Sequence, residues 1–337
     1  MTISVAMVGA GRMGAKHVAA LAAMDDVHIV GVADVRPEAA TALADETGGE
    51  AFADYREMLE RLKPDVAYFC TPPADHGEQL VFAAGLGINM FVEKPLASSM
   101  VDANAIVDAV ERAGVLFTVG YQWRYNPTAD VARETLGDLS ATLLAGWWYW
   151  TIPPIPWIAD RRYGGGQVFE QATHQIDLMR FLGGDIQEVY AVYAQNARPE
   201  SELPNWDANA VTMRFASGAA GSLHTTYALF PGIPNGNAVD IIARELLIRA
   251  QSARCTVFRR DQEPVETKGP EGWTIDQPYM EAVRRNDPNL IRSPARDSAK
   301  SIAVSLAANY SAVTGKIVDV GAFMANPPTD VAIMPTG

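Results

Sequence analysis

The chain has 337 residues, 48% of them hydrophobic, and its 27 basic and 40 acidic side chains leave a formal charge of −13 with a pI near 4.8. That length exceeds one ordinary core and fits two domains. The acidity excludes a broad basic field for nucleic acid or an anionic membrane, and no apolar stretch reaches spanning length.

Met1-Thr2-Ile3-Ser4-Val5 runs directly into a strand, without the basic and apolar regions of a signal peptide. Cys70 and Cys255 are too few and too widely separated for a disulfide framework or a thiolate metal site. A reducing, cytoplasmic setting is therefore expected.

Ile3 to Val8 reads as a strand, followed by Gly9-Ala10-Gly11-Arg12-Met13-Gly14 and an alanine-rich helix through Ala23. A lone G-x-G-x-x-G is a weak signal, but here it has its strand–turn–helix setting. Gly9 permits the tight turn, Gly11 leaves room for a pyrophosphate near the backbone, and Gly14 lets the helix approach the sheet. The next strand, His28 to Ala33, ends at Asp34, twenty residues beyond Gly14. An acidic side chain there hydrogen-bonds the hydroxyls of an adenosine ribose and repels a 2′-phosphate, which implies dinucleotide binding with NAD preferred over NADP. Arg36 argues the other way, since a guanidinium just past the acid can stack on adenine or accept phosphate charge.

Pro37 opens a helix to about Thr47, Tyr55 to Leu62 forms another, and Val66 to Cys70 is a buried strand. Thr71-Pro72-Pro73 stops it at the ligand edge of the sheet. His76 just beyond has two readings, a cofactor contact or a helix-start hydrogen bond. A helix through Ala84 leads to the strand 89–93, apolar enough to be buried on both faces. Its exit, Glu93-Lys94-Pro95, puts Lys94 where open α/β sheets bind ligands, although a solvated strand end would carry the same residues. Ser99 and Asp102 have capping-box spacing, Gly114 ends that helix, and Leu116 to Gly120 is a further strand. After Tyr121 to Pro127 the strand–helix alternation stops, so the dinucleotide-binding Rossmann domain is placed at 1–123. Arg124 suits either a substrate hydroxyl or carboxylate, or a salt bridge bracing the junction.

Residues 124–337 have the rhythm of an α+β domain for substrate binding and oligomerisation. Ala141 to Trp150, Val189 to Gln195, Ala208 to Phe215, Ala219 to Tyr227, Ala238 to Ile242 and Leu246 to Ala250 read as strands joined by short turns. They predict a large, open, mostly antiparallel sheet with helices on one face and the other available to a second subunit. Helices are expected at Gln277 to Asn286 and Ala295 to Thr314, the latter ended by Gly315. Trp147-Trp148-Tyr149-Trp150, with the loop Pro153 to Trp157, is aromatic enough to wall the apolar face of a sugar or cyclitol. Packing is the favoured role for Trp148 and Trp150, and a pocket role for Trp157.

In Gly164-Gly165-Gly166 through Asp177, the glycines allow a close turn before a helix. Glu170, His174 and Asp177 share one face of it, and Val168, Ala172, Ile176 and Met179 the other, which points the polar face toward a cleft. His174 exchanges a proton near neutral pH, and a neighbouring carboxylate can orient it. No i, i+4 histidine pair or thiolate set accompanies it, so no metal is expected.

Together with Asp287 to Arg292, Ala308 to Ser311 and Thr314-Gly315-Lys316, these motifs resemble the Gfo/Idh/MocA oxidoreductase family over nearly the whole chain. The resemblance implies an α/β chain, a Rossmann domain followed by an α+β domain with an open sheet, assembled as a homodimer or homotetramer. It implies oxidation of a secondary hydroxyl of a sugar, sugar derivative or cyclitol, or reduction of the keto-sugar. Lys94 would then bind the reacting oxygen and His174 act as acid/base. Glu170 stands where the family usually has aspartate and Ala172 where it has glycine, which changes reach at the substrate. The cofactor set is Gly9, Gly11, Arg12, Met13, Gly14, Asp34, Arg36, Thr71, Pro72, Pro73, His76, Glu93, Lys94 and Gln122. The substrate set is Lys94, Arg124, Tyr149, Trp157, Tyr163, Glu170 and His174. Two other functions fit the same residues: an NAD-dependent glycosidase using transient redox chemistry, and a noncatalytic dinucleotide-dependent sugar-binding or regulatory protein.

Overall fold

A computed structural model describes residues 2–199, 201–234 and 236–328. The chain forms two compact units, Met1–Tyr121 with Thr274–Ala299, and Gln122–Trp273 with Lys300–Gly337.

The first unit alternates strand and helix: β1 (Ile3–Val8), α1 (Arg12–Ala22), β2 (Val27–Ala33), α2 (Pro37–Thr47), β3 (Glu50–Phe52), α3 (Tyr55–Leu62), β4 (Val66–Phe69), α4 (His76–Gly85), β5 (Asn89–Val92), α5 (Met100–Ala113) and β6 (Phe117–Val119). All six strands are parallel, in the order β3-β2-β1-β4-β5-β6. This doubly wound order reverses between β1 and β4, and ligands bind beyond the strand ends at such a switch point. β4 and β6 are buried at every position and β5 at all but its first, as expected of strands covered on both faces. The Ser99 hydroxyl accepts the Asp102 N–H at the start of α5, and Gly114 closes that helix in the left-handed region.

The second unit opens with α6 (Gln122–Tyr125) and α7 (Pro127–Leu136), then β7 (Leu143–Tyr149) and four helices, α8 (Pro156–Ala159), α9 (Arg161–Gly164), α10 (Gln167–Glu170) and α11 (Thr173–Gly183). There follow β8 (Ile186–Ala194), β9 (Ala208–Phe215), β10 (Ala220–Thr226), β11 (Asn237–Ala243), β12 (Leu246–Gln251), β13 (Arg254–Arg259) and β14 (Val265–Lys268). After α12 (Asp276–Arg285), which belongs to the first unit, and α13 (Ala295–Thr314), the second unit ends with β15 (Val318–Asp319) and α14 (Val320–Ala325). Its nine strands run β14-β13-β12-β11-β7-β10-β9-β8-β15. Every pairing is antiparallel except β7 with β10. β9 and β12 alternate buried with less buried residues, the signature of a sheet with one covered face. Helix α7 packs against β12 and β13, and α11 against β7 and β11.

Four strands escaped the sequence reading or were left without bounds. β3 and β15 are too short to show a period, and β13 and β14 carry arginine, lysine and glutamate at positions that read as turn. The helix expected to run unbroken through Glu170, His174 and Asp177 is two helices. Gln171 and Ala172 form a turn between α10 and α11, so Glu170 ends one helix and His174 lies in the first turn of the next. The three polar side chains are buried: Glu170, His174 and Asp177 are 6%, 5% and 0% exposed.

Candidate active site

The cofactor half is built on β1, α1 and β2. Gly9 takes φ 96°, and a Cβ there would lie 2.8 Å from the Cys70 backbone, so the turn at the exit of β1 closes on the exit of β4 only because residue 9 is glycine. A Cβ on Gly14 would sit 2.0 Å from the Gly9 carbonyl oxygen, whereas one on Gly11 would meet nothing within 4 Å. The first two glycines thus serve different needs: Gly9 closes the turn, and Gly11 leaves open space above a helix start. Gly11 caps α1 with no side chain, leaving the first helical N–H groups for an anion. Arg12 and Met13 begin the helix.

At the end of β2, Asp34 Oδ2 accepts the Ala10 N–H at 2.8 Å, and Oδ1 accepts the Arg36 N–H at 2.9 Å and its Nε–H at 3.2 Å. Burial alone would raise this carboxyl, but Arg36 and the two amides outweigh it and hold it below the usual carboxylate value. Arg36 also donates from a terminal nitrogen to Oδ2 at 3.4 Å; an ionised acid at this strand end suits ribose hydroxyls, which would displace the exposed Arg36 side chain, and repels a 2′-phosphate. These residues fit NAD. Replacing Asp34 by alanine is expected to weaken NADH binding roughly tenfold or more while leaving NADPH binding unchanged or tighter, as read by fluorescence titration with both cofactors.

At the exit of β5, Lys94 follows buried Glu93 and joins Pro95 through a cis peptide bond. Glu93 Oε1 lies 2.9 Å from His17 Nε2, and His17 Nδ1 lies 2.7 Å from Asp276 Oδ1. Burial works against a charge on His17, but hydrogen bonds from its ring to both carboxylates, and their charges, raise its pKa from 6.5 to about 9. Because this value is raised over that of the unfolded chain, the resulting stability is fully present below about pH 6.5 and is lost as pH climbs through about 9. The unfolding free-energy advantage of the native chain over a His17→Gln variant, read by denaturant titration, is therefore expected to be largest near pH 6, on the order of 3 kcal/mol, and to shrink steadily to pH 10.

His76 does not make the helix-start hydrogen bond expected of it in one sequence reading. Its side chain is fully buried, with Nδ1 3.1 Å from the Pro95 and Leu96 carbonyl oxygens and Nε2 3.0 Å from that of Thr71. It ties the loop after β4 to the loop after β5. Thr71 donates its hydroxyl to Gln79 Oε1 at 2.6 Å, which fixes the turn made by Pro72 and Pro73.

His174, the acid/base candidate from sequence, lies in the second unit. His174, Trp123 and Trp148 form a cluster of three near-parallel rings: Trp123 and His174 at 6.3 Å and 9°, Trp148 and His174 at 6.5 Å and 25°, Trp123 and Trp148 at 5.7 Å and 27°. Trp148, for which packing was the favoured role, remains partly exposed beside this histidine. Tyr227, fully buried just beyond β10, has its hydroxyl pKa raised first by burial and then by the charge of Glu170. Neither Trp123 nor Tyr227 was in the sequence-derived site. Gln167 donates to the Trp148 and Thr226 carbonyls at 3.2 Å, and Gln175 to those of Trp147 and Ala238 at 2.7 and 3.0 Å, which pins α10 and α11 to the strand that carries Trp148.

Arg124 donates from Nε to Asp177 Oδ2 at 2.5 Å and from a terminal nitrogen to Asp177 Oδ1, with both side chains buried. This ion pair lies inside the second unit, so it is not the domain-junction brace considered from sequence. Among the other expected residues, Gln122 begins α6, Trp157 is half-buried in α8, and Tyr149 and Tyr163 are 36% and 57% exposed. Among the described residues, no group of three or more histidine, cysteine, aspartate or glutamate side chains is gathered for a metal, and no helix is long and apolar enough to cross a membrane.

A parallel sheet with a glycine turn at its switch point and a second unit built on a mixed, mostly antiparallel sheet define a two-domain dinucleotide oxidoreductase architecture. Residues 3–121 match the family described as "Oxidoreductase family, NAD-binding Rossmann fold", and residues 129–243 match the "GFO/IDH/MocA C-terminal domain". The chain belongs to the GFO/IDH/MocA oxidoreductase family.

It is 25% identical to myo-inositol 2-dehydrogenase of Thermotoga maritima over 64% of this chain and 66% of that protein. It is 28% identical to levoglucosan dehydrogenase of Pseudarthrobacter phenanthrenivorans over 66% and 67%, and 28% identical to the uncharacterized oxidoreductase YrbE of Bacillus subtilis over 63% and 64%. The alignments thus span about two thirds of these relatives. In fold, the chain superposes on levoglucosan dehydrogenase in complex with NADH and levoglucosan with a TM-score of 0.82 at 24% identity, covering 95% of this chain and 100% of the other. An oxidoreductase from Agrobacterium radiobacter in complex with NAD+, L-tartaric acid and magnesium gives 0.83 at 19% identity, with 96% and 100% covered.

Proposed function

We propose that this protein is an NAD-dependent dehydrogenase that oxidises a secondary hydroxyl of a sugar, sugar derivative or cyclitol, or reduces the corresponding keto-sugar. The observation that carries the reading is the cofactor half: open space over Gly11 at an uncapped helix start, with an ionised Asp34 at the end of the neighbouring strand. The inositol and levoglucosan dehydrogenases among its relatives support a polyhydroxylated ring as substrate.

NAD, when bound, supplies the hydride acceptor. Lys94 carries the positive charge that stabilises an alkoxide-like oxygen, and His174 removes the hydroxyl proton, so that the loss of hydride and proton leaves a ketone. Glu170 orients the acid/base machinery, and the Trp148 indole beside His174 offers an apolar face to the ring carbons of a substrate. Trp157, Tyr149, Tyr163 and Arg124 complete the substrate side of this reading.

Assembly as a homodimer or homotetramer is part of the same reading. Tyr190 and Val192, exposed on alternate positions of β8, support pairing through the uncovered sheet face. The two free cysteines support a reducing, cytoplasmic setting.

The testing experiment incubates the protein and NAD with inositols, free sugars, sugar acids, anhydrosugars and synthetic glycosides, reading NADH and carbohydrate products together. Substrate-dependent NADH with an oxidised product is expected. Glycoside cleavage without net NADH would replace this reading with a redox-assisted glycosidase, and tight NADH binding with no turnover in either direction would replace it with a binding protein.

A further inference from the structure

The buried chain of charged groups at the exit of β5 has so far been given no part in the reaction beyond the expected cofactor contact of Glu93. It begins at Asp276 of α12, passes through His17 of α1 at 2.7 and 2.9 Å, and reaches Glu93, whose second oxygen accepts the backbone N–H of Lys94 at 3.2 Å. Asp276, His17 and Glu93 are 2%, 3% and 9% exposed. His17 lies three residues beyond Gly14, on the helix whose first turn faces the dinucleotide site. We propose that His17 is a positioning residue for Lys94: held by Asp276 on one side, it fixes the Glu93 carboxylate that anchors the lysine's backbone, and so ties Lys94 to the helix that starts at the cofactor turn. This rests on the role given to Lys94 under the proposed function.

Packing alone does not account for the arrangement. Two carboxylates and an imidazolium are costly to desolvate, and an apolar cluster would hold α1 against the sheet as well. What the charged chain adds is direction, because both ring nitrogens have a fixed acceptor and both Glu93 oxygens a fixed donor. Phe91 and Tyr68 lie 4.8 and 5.5 Å from the imidazole and restrict its ring plane. The groups facing His17 are Glu93 and Asp276 directly, Lys94 beyond Glu93, and the Tyr68 ring, with Tyr279 packed behind Tyr68 and Phe91. Burial pushes the hydroxyl of Tyr68 and the thiol of Cys70 well above their ordinary values.

The first test uses the wild-type chain without substrate. Glu93-Lys94 is the only Glu-Lys pair in the sequence, so labelling glutamate with carbonyl 13C and lysine with 15N gives one carbonyl–nitrogen resonance to follow from pH 6 to pH 10.5, alongside the His17 ring signals. The expected result is that this resonance shifts with the same midpoint as His17, near the value of about 9. A resonance that stays flat while His17 titrates overturns the proposal.

The second test uses His17→Gln and Asp276→Asn. Both are expected to lower kcat about 10- to 100-fold while substrate KM and the Kd for NADH stay within about threefold, and to move the alkaline limb of the kcat profile. Folded variants with kcat within about twofold of wild type and an unmoved limb overturn it. The resonance test requires no turnover, so its failure is separate from a failure of the dehydrogenase reading, and it decides the question if the variants do not fold.

Discussion

Replacing His174 by alanine is expected to slow single-turnover hydride transfer to NAD by about 10²- to 10⁴-fold, the range for loss of a positioned acid/base group, while the Kd for NADH stays close to wild type. The separation follows from where the parts lie. Gly9, Gly11, Gly14 and Asp34 belong to the first unit, whereas His174 belongs to α11 of the second, stacked near Trp123 and Trp148. Since His174 is only 5% exposed, alanine leaves a gap beside two indoles. His174→Gln, which fills most of that gap without exchanging a proton at neutral pH, separates lost chemistry from lost packing. Stopped-flow absorbance of NADH provides the reading, and hydride transfer within a few-fold of wild type in both variants would remove His174 from its assigned role.

Replacing Lys94 by methionine is expected to cost about 10²- to 10³-fold in the same step, the usual effect of removing one charge-stabilising donor from a developing oxyanion. Methionine retains an unbranched stem of similar length and removes the ammonium, so the backbone hydrogen bond from residue 94 to Glu93 is kept. Because the same group also binds the ground-state hydroxyl, KM for the substrate should rise as the rate falls. An unchanged chemical rate would contradict the assignment. The two variants also differ in pH response: with His174 gone, the acidic limb attributable to its protonation should vanish, and with Lys94 gone it should persist.

The cofactor half was legible in the sequence because its signals are local. Strand, glycine turn, helix and acid fall within residues 3–34, and each glycine answers to one contact that a Cβ would block or leave open. The second sheet was legible as six alternating segments, though not in its order, because the parallel pairing of β7 with β10 depends on strands far apart in the chain. The Glu170–His174 stretch was placed on one helix because the 3.6-residue period continues through it. Nothing in that period marks the turn at Gln171 and Ala172. Asp177, read from spacing as part of a polar face with Glu170 and His174, instead holds Arg124 in the interior, and the neighbouring Gln167 and Gln175 satisfy strand carbonyls.

His17 and Asp276 are separated by 259 positions, so no pattern could pair them. A signal for each was nevertheless present. His17 stands with Gly14, Val18 and Leu21 on the buried stripe of α1, and Asp276 with Tyr279 and Met280 on that of α12. A titratable side chain on an apolar stripe calls for a buried partner.

The return of Thr274–Ala299 to the first unit bears on how the protein is made. Tyr279 packs beside Tyr68 and Phe91, and Ser293 donates its hydroxyl to the Val119 carbonyl at 2.7 Å. A nascent chain that has emerged only through Tyr121 therefore has all six strands of its parallel sheet and neither of these closing contacts, and His17 still lacks the carboxylate at its Nδ1. At ~5–20 residues per second, the ribosome supplies the missing piece on the order of ten seconds later, after the strands of the other sheet as far as β14 have been synthesised. The nucleotide-binding half is begun first and finished almost last, so its completion on the ribosome waits for translation of its partner unit.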